Sequence, residues 1–216
     1  MVNVRMKYPS GFISSTFTDL KHERQVITQL FKDLNIVPQA LDTRPACNNS
    51  SRNEIIDGIR ESDFVVLIIG NKYGTIDKNF TGSDKKSITW WEYDVALNTN
   101  TPIIPIFKNE SAATDNNPEK EALLTRFKNI LTQKHSPQYF DTDQELYQKV
   151  LHSIIPTYRN SIIKESRLKS QLIIENETLK SENQKLQLSI NPPPQEKSIG
   201  KTSLIDLMQA SYLGLK

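Results

Sequence analysis

Three short stretches of this 216-residue chain carry side chains that can do chemistry. They are Ser14-Ser15-Thr16, Tyr73-Gly74 and Trp90-Trp91-Glu92. A carboxylate beside large aromatic rings is partly desolvated, which raises its pKa, while a helix N-terminus opposes that shift. Glu92 is therefore the leading candidate for carboxylate chemistry. The plainer reading makes a tryptophan core and Glu92 a solvated helix residue. Ser14, Ser15 and Thr16 can hydrogen-bond a phosphate or a ribose, although hydroxyl residues also cap helices and form turns. Gly74 permits a positive φ, and the Tyr73 ring can stack on a base. Asp63 is a further candidate for substrate contact, against a turn or capping role. Glu23 and Arg24 read as an exposed helix salt bridge.

The elements that must position these residues alternate between strand and helix. Gly11-Phe12-Ile13 ends a first strand. A helix over Asp19–Leu34 follows, with Leu20, Val26, Ile27, Leu30, Phe31 and Leu34 at helical spacing. Thr18 or Asp19 can cap it, and its free N–H groups then mark an anion site. Ile36-Val37-Pro38 is a short strand that its proline confines to an edge or a strand end. Ser51–Glu61 is a helix, and Phe64–Ile69 is an unbroken apolar run suited to the centre of a parallel sheet. Trp90–Asn98 is helix, Ile103–Phe107 strand, Glu119–Leu131 helix, Tyr139-Phe140 an edge strand and Thr142–Ile155 a last helix. Such alternation predicts an α/β fold, a doubly wound parallel sheet covered by helices. Ligands of these sheets bind outside the carboxyl ends of the strands, where the three stretches converge.

The remainder of the chain differs. Ile162, Lys169, Asn176, Asn183 and Ile190 share one heptad position, and Glu165, Leu172, Leu179 and Leu186 share its companion. Leucine at d with asparagine at a favours a parallel two-stranded coil. The competing reading is a single solvated helix. Asn191-Pro192-Pro193-Pro194 stops the helix and begins a stiff spacer. Leu204, Leu207, Met208 and Tyr212 make a short amphipathic helix able to dock on a protein partner. The expected organisation is an α/β domain over 1–156, a coiled-coil helix over 157–190, a Pro-rich linker over 191–200 and a C-terminal helix over 201–216.

Several function classes lose support. Lys plus Arg (27) nearly balance Asp plus Glu (25), so a net charge of +2 gives no field for nucleic acid or a membrane surface. No run approaches the roughly 20 apolar residues of a membrane span, and no secretory signal is evident. The lone Cys47 allows no intrachain disulfide and fits a reducing, cytoplasmic setting. His22, His135 and His152 lack ligand spacing, so no metal and no resident cofactor are expected. Hydrolase and metalloprotease motifs are missing. Gly200-Lys201-Thr202 lacks the first glycine and the strand of a phosphate loop.

The ordered set Phe12–Leu20 with Glu23-Arg24, Ser62–Gly70 with Tyr73-Gly74, and Ser87-Ile88-Thr89 with Glu92-Tyr93 and Ala96 resembles the domain-of-unknown-function family 4062. The resemblance is close over the first half of the chain and looser to Ile155. It implies a flavodoxin-like, TIR-like sheet related to nucleoside deoxyribosyltransferases, whose relatives cleave N-glycosidic bonds with a crevice carboxylate. By that resemblance Glu92, four residues before Ala96, takes the catalytic position. Ser14, Ser15, Thr16, Asp63, Tyr73, Gly74 and Trp91 take substrate contacts, and NAD or a related nucleotide is the substrate. It also implies an effector of immunity or antiphage defence that acts when assembled, here as a coiled-coil homodimer. A non-enzymatic nucleotide-binding or assembly module, and a transferase of nucleotide metabolism, are the alternatives. The family commonly has an acid where this chain has Trp90.

Overall fold

A computed structural model describes residues 8–17, 19–39, 50–109 and 115–190. Five strands, β1 (Ser10–Ser15), β2 (Val37–Gln39), β3 (Phe64–Ile69), β4 (Ile103–Lys108) and β5 (Gln138–Phe140), form one sheet. Its order is β2-β1-β3-β4-β5 and every pairing is parallel. This is the flavodoxin-like arrangement, in which the strand order reverses beside β1. The helices are α1 (Lys21–Asp33), α2 (Ser51–Glu61), α3 (Lys78–Thr81), α4 (Ile88–Asn98), α5 (Pro118–Lys134) and α6 (Asp143–Ile190).

The alternation of β3 shows how the layers form. Phe64, Val66 and Ile68 join the core under α1 and the start of α6, with Ile27, Leu30, Phe31, Leu146 and Val150. Val65 packs with Ile55 and Ile59 of α2, while Leu67 and Ile69 pack with Phe127 and Leu131 of α5. A strand with both faces covered needs apolar residues at every position, as this one has. Pro38 does lie in an edge strand, opposite Gly11.

Two expectations need correcting. The cap residue of α1 is Leu20, with no side-chain cap bond. The Asp19 carboxylate is instead packed against Gly70 at the end of β3, where Oδ2 lies 3.0 Å from the place a Cβ would occupy. And α6 does not end at Ile155: it runs through Pro156. The proline leaves the His152 carbonyl without its helical partner, but His152 is exposed, so water can take that bond.

The chain divides into two compact units, Met1–Glu165 and Ser166–Lys216. In the second, the described helix exposes Leu172, Leu179 and Leu186. The expected linker over 191–200 and helix over 201–216 lie outside the described residues. Among the described residues, no helix is long and apolar enough to cross a membrane.

Candidate functional site

The site grows from the end of β1. Successive side chains of a strand face opposite sides, so Ser14 and Ser15 look in different directions. Ser14 faces α4 and its hydroxyl donates to Glu92 Oε2. Ser15 faces α1, where Arg24 Nη1 donates to Ser15 Oγ at 3.1 Å and to the Ile13 carbonyl at 3.2 Å. Arg24 falls on the stripe Leu20, Arg24, Ile27, Phe31, which turns it inward and leaves it 8% exposed.

Glu92 sits in the second turn of α4, a helix started by Ser87, whose hydroxyl accepts from the Trp90 N–H. Burial pushes the Glu92 carboxyl up to about 7. The Ser14 hydroxyl and the nearby Arg24 charge both favour the ionised form, yet they offset only part of the desolvation.

A cavity of about 460 Å³ opens over this carboxylate. Its polar lining is Ser15, Thr16, Arg24, Thr75, Thr89 and Glu92, and its apolar wall includes Phe12, Ile13, Phe17, Ile55, Phe80 and Ile88. Gly74, also in the lining, has φ of +88°, and a Cβ there would stand 2.7 Å from the Thr16 methyl. A glycine is therefore required both by the backbone and by the close approach of the β1 and β3 loops.

The sequence-predicted residues divide. Glu92, Ser15, Thr16 and Gly74 line the cavity, and Ser14 is bonded to Glu92. Tyr73 does not line it: its ring is 1% exposed, its hydroxyl donates to the Lys85 carbonyl at 2.6 Å and accepts from the Ser87 N–H at 3.2 Å. It ties the β3 loop to the start of α4. Trp91 is also core, edge-on to Phe80 at 5.2 Å with the Arg52 guanidinium 5.3 Å from its ring centre. It supports Phe80, which does face the cavity. Trp90 stacks on Phe127 at 4.7 Å. Asp63 lies at the opposite, amino end of the strands, where its carboxylate accepts the Ser10 N–H at 2.7 Å. This bond ties the start of β3 to the start of β1.

Sequence reasoning missed Arg24 and the wall residues Ile55 and Phe80. It also placed Glu23 and Arg24 on an exposed face, whereas Glu23 is 4% exposed and takes a 2.5 Å bond from Lys108 Nζ. Helical periodicity held the signal, since Leu20, Arg24 and Ile27 share one stripe with Phe31. Among the described residues no group of three or more His, Cys, Asp or Glu could hold a metal ion.

Residues 12–155 match the family described as "Domain of unknown function (DUF4062)". The chain belongs to that family. The DUF4062 region starts in β1 and ends within α6, so it contains every residue lining the cavity. No curated protein matches the chain. Among solved structures it is similar to the TIR domains of "Structure of the activated Roq1 resistosome directly recognizing the pathogen effector XopQ". That likeness has 19% identity and a TM-score of 0.41, and covers 68% of this chain and 99% of the other. The fold of this DUF4062 chain rests on its own parallel strand order, β2-β1-β3-β4-β5.

Proposed function

We propose that this DUF4062 domain is a TIR-like module of intracellular defence signalling that cleaves the N-glycosidic bond of NAD or a related nucleotide, with Glu92 as its catalytic carboxylate. The coiled-coil helix pairs two chains in this reading. One observation carries the proposal: a buried carboxylate, lifted to about 7, on the wall of a cavity at the carboxyl end of a parallel sheet.

The chemistry needs only one carboxylate. Glycosidases generally use two, one of them a general acid. In NAD the nicotinamide is already cationic and leaves neutral, taking the electron pair of the C1′–N bond. The sugar is left as a cation. An ionised Glu92 stabilises that cation in a dry site, where a fixed charge acts strongly, or captures it covalently. Water then completes C1′, and its proton leaves to solvent. Because the working form is the carboxylate, activity rises with pH through about 7. The apolar wall of Phe12, Ile55, Phe80 and Ile88 suits a flat ring, while Ser15, Thr16 and Arg24 suit the sugar and its phosphate. The same wall also favours binding without cleavage, as the second reading.

Incubation of the purified protein with NAD, following free nicotinamide for wild type and Glu92→Gln, separates the two readings. Release by wild type alone supports cleavage. Bound NAD without release in either protein supports the binding module.

A further inference from the structure

A groove of about 470 Å³ lies at the other end of the α/β domain. Its walls include Leu34, Ile36 and Phe64 near the amino ends of the strands, and Ile155, Tyr158 and Ile162 of α6. Ile155 is 63% exposed and Ile162 50%, a heavy exposure for isoleucine on a helix packed against its own domain.

The phase of α6 says what covers them. Leu172, Leu179 and Leu186 set the d position, and Asn176 and Asn183 lie at a. Stepping back by sevens puts Ile162 and Ile155 at a, and Tyr158 at d. Three groove-lining residues of α6, Ile155, Tyr158 and Ile162, thus share the heptad register of the distal leucines, flanked by Ile154 at g, Arg159 at e and Ile163 at b. The register then runs for five heptads, from Ile155 to Ile190, with Glu165 and Lys169 as its charged members. Pro156 falls at b, outside the a and d positions that make the knobs of the seam. Charge agrees with a self-partner. Glu175 at g faces Lys180 at the following e position of an identical parallel helix, and such pairs set orientation.

We propose that the pairing surface of α6 reaches back to Ile155, so that a second copy of this chain closes the apolar groove on the α/β domain. A partner helix that pairs in this register needs the same seven-residue phase, and α6 itself has it. The proposal rests on the homodimer reading above. It adds that the two domains meet at the amino ends of their strands, leaving each Glu92 cavity open at the carboxyl ends.

Symmetric cysteine cross-linking tests this in the full chain with Cys47→Ser, since Cys47 is the only native cysteine. Cysteines at a positions of a parallel pair come within the roughly 7 Å Cα separation that a disulfide spans. Asn176→Cys reports the distal coil, Ile155→Cys and Ile162→Cys the proposed extension, and Arg167→Cys, at the outward f position, the background. Under mild oxidation, dimer formation at 155 and 162 should equal that at 176 and exceed that at 167. Cross-linking at 176 alone overturns the extension while leaving the coil intact. Background-level linking at all four sites overturns the extension and the parallel coil together.

Discussion

Glu23 and Glu92 are both buried carboxylates of the same domain, 4% and 8% exposed, yet their surroundings differ. Glu23 on α1 takes a 2.5 Å bond from Lys108 at the end of β4, and the lysine keeps 30% of its side chain in contact with solvent. The charge is compensated on the spot, which makes this a structural ion pair. Glu92 takes its bond from a hydroxyl, that of Ser14. The nearby cation, Arg24, spends a nitrogen on the Ile13 carbonyl and on Ser15 instead. A fold that can pair one buried glutamate with a lysine leaves the other without one, beside a cavity. Incomplete compensation of this kind marks a candidate site of chemistry, because local stability is given up there.

The contrast can be broken most forcefully at Glu92. Glu92→Gln should lower nicotinamide release by at least about 10²-fold while the fold is retained, since a fixed charge aimed at a developing cation is removed. The next effect is on stability against pH. The folded carboxyl titrates at about 7 against 4.5 for an ordinary glutamate, so the folded state holds the proton more tightly. Stability is therefore lost as pH rises from about 4.5 through 7, by on the order of 3 kcal/mol. Urea denaturation should show wild type weakening relative to Glu92→Gln across that window; parallel curves would remove the desolvation argument.

Smaller effects sharpen the other half of the comparison. Glu23→Ala should cost about 1–3 kcal/mol in thermal or urea denaturation, because it leaves the partly buried Lys108 without its carboxylate. Release per folded molecule should not change. A loss of release comparable to that of Glu92→Gln would erase the distinction between the two glutamates. Ser14→Ala should have the smallest effect. It removes a bond to the ionised form, so the midpoint of the release–pH profile should move upward at an unchanged plateau.

How much of this was legible in the sequence depended on whether the signal was local. β3 was plain, because six successive apolar residues admit a strand covered on both faces. The bounds of α2 match the expected Ser51–Glu61, and the structure adds the Ser50 side chain as the cap of its start, accepting from the Asn53 N–H. The start of α1 was not, because Asp19 packs against Gly70, a contact set by a strand some fifty residues away. Tyr73 and Trp91 looked like rings free to hold a base. Their burial against Ser87 and Phe80 is a tertiary fact that no local pattern carries. The convergence of three loops followed from topology alone, since strands that run parallel put all their carboxyl ends on one edge. Which hydroxyl meets Glu92 needed the alternation of β1 and the position of α4 together.

Glu92 is the decisive residue: its burial outweighs the Ser14 hydroxyl and the nearby Arg24 charge. A pH titration of its side-chain carboxyl by ¹³C NMR, with the resonance assigned by its loss in Glu92→Gln, tests this directly. The structure predicts a midpoint of about 7. A midpoint in the ordinary glutamate range near 4.3 would mean a solvated carboxylate and would contradict the site described above.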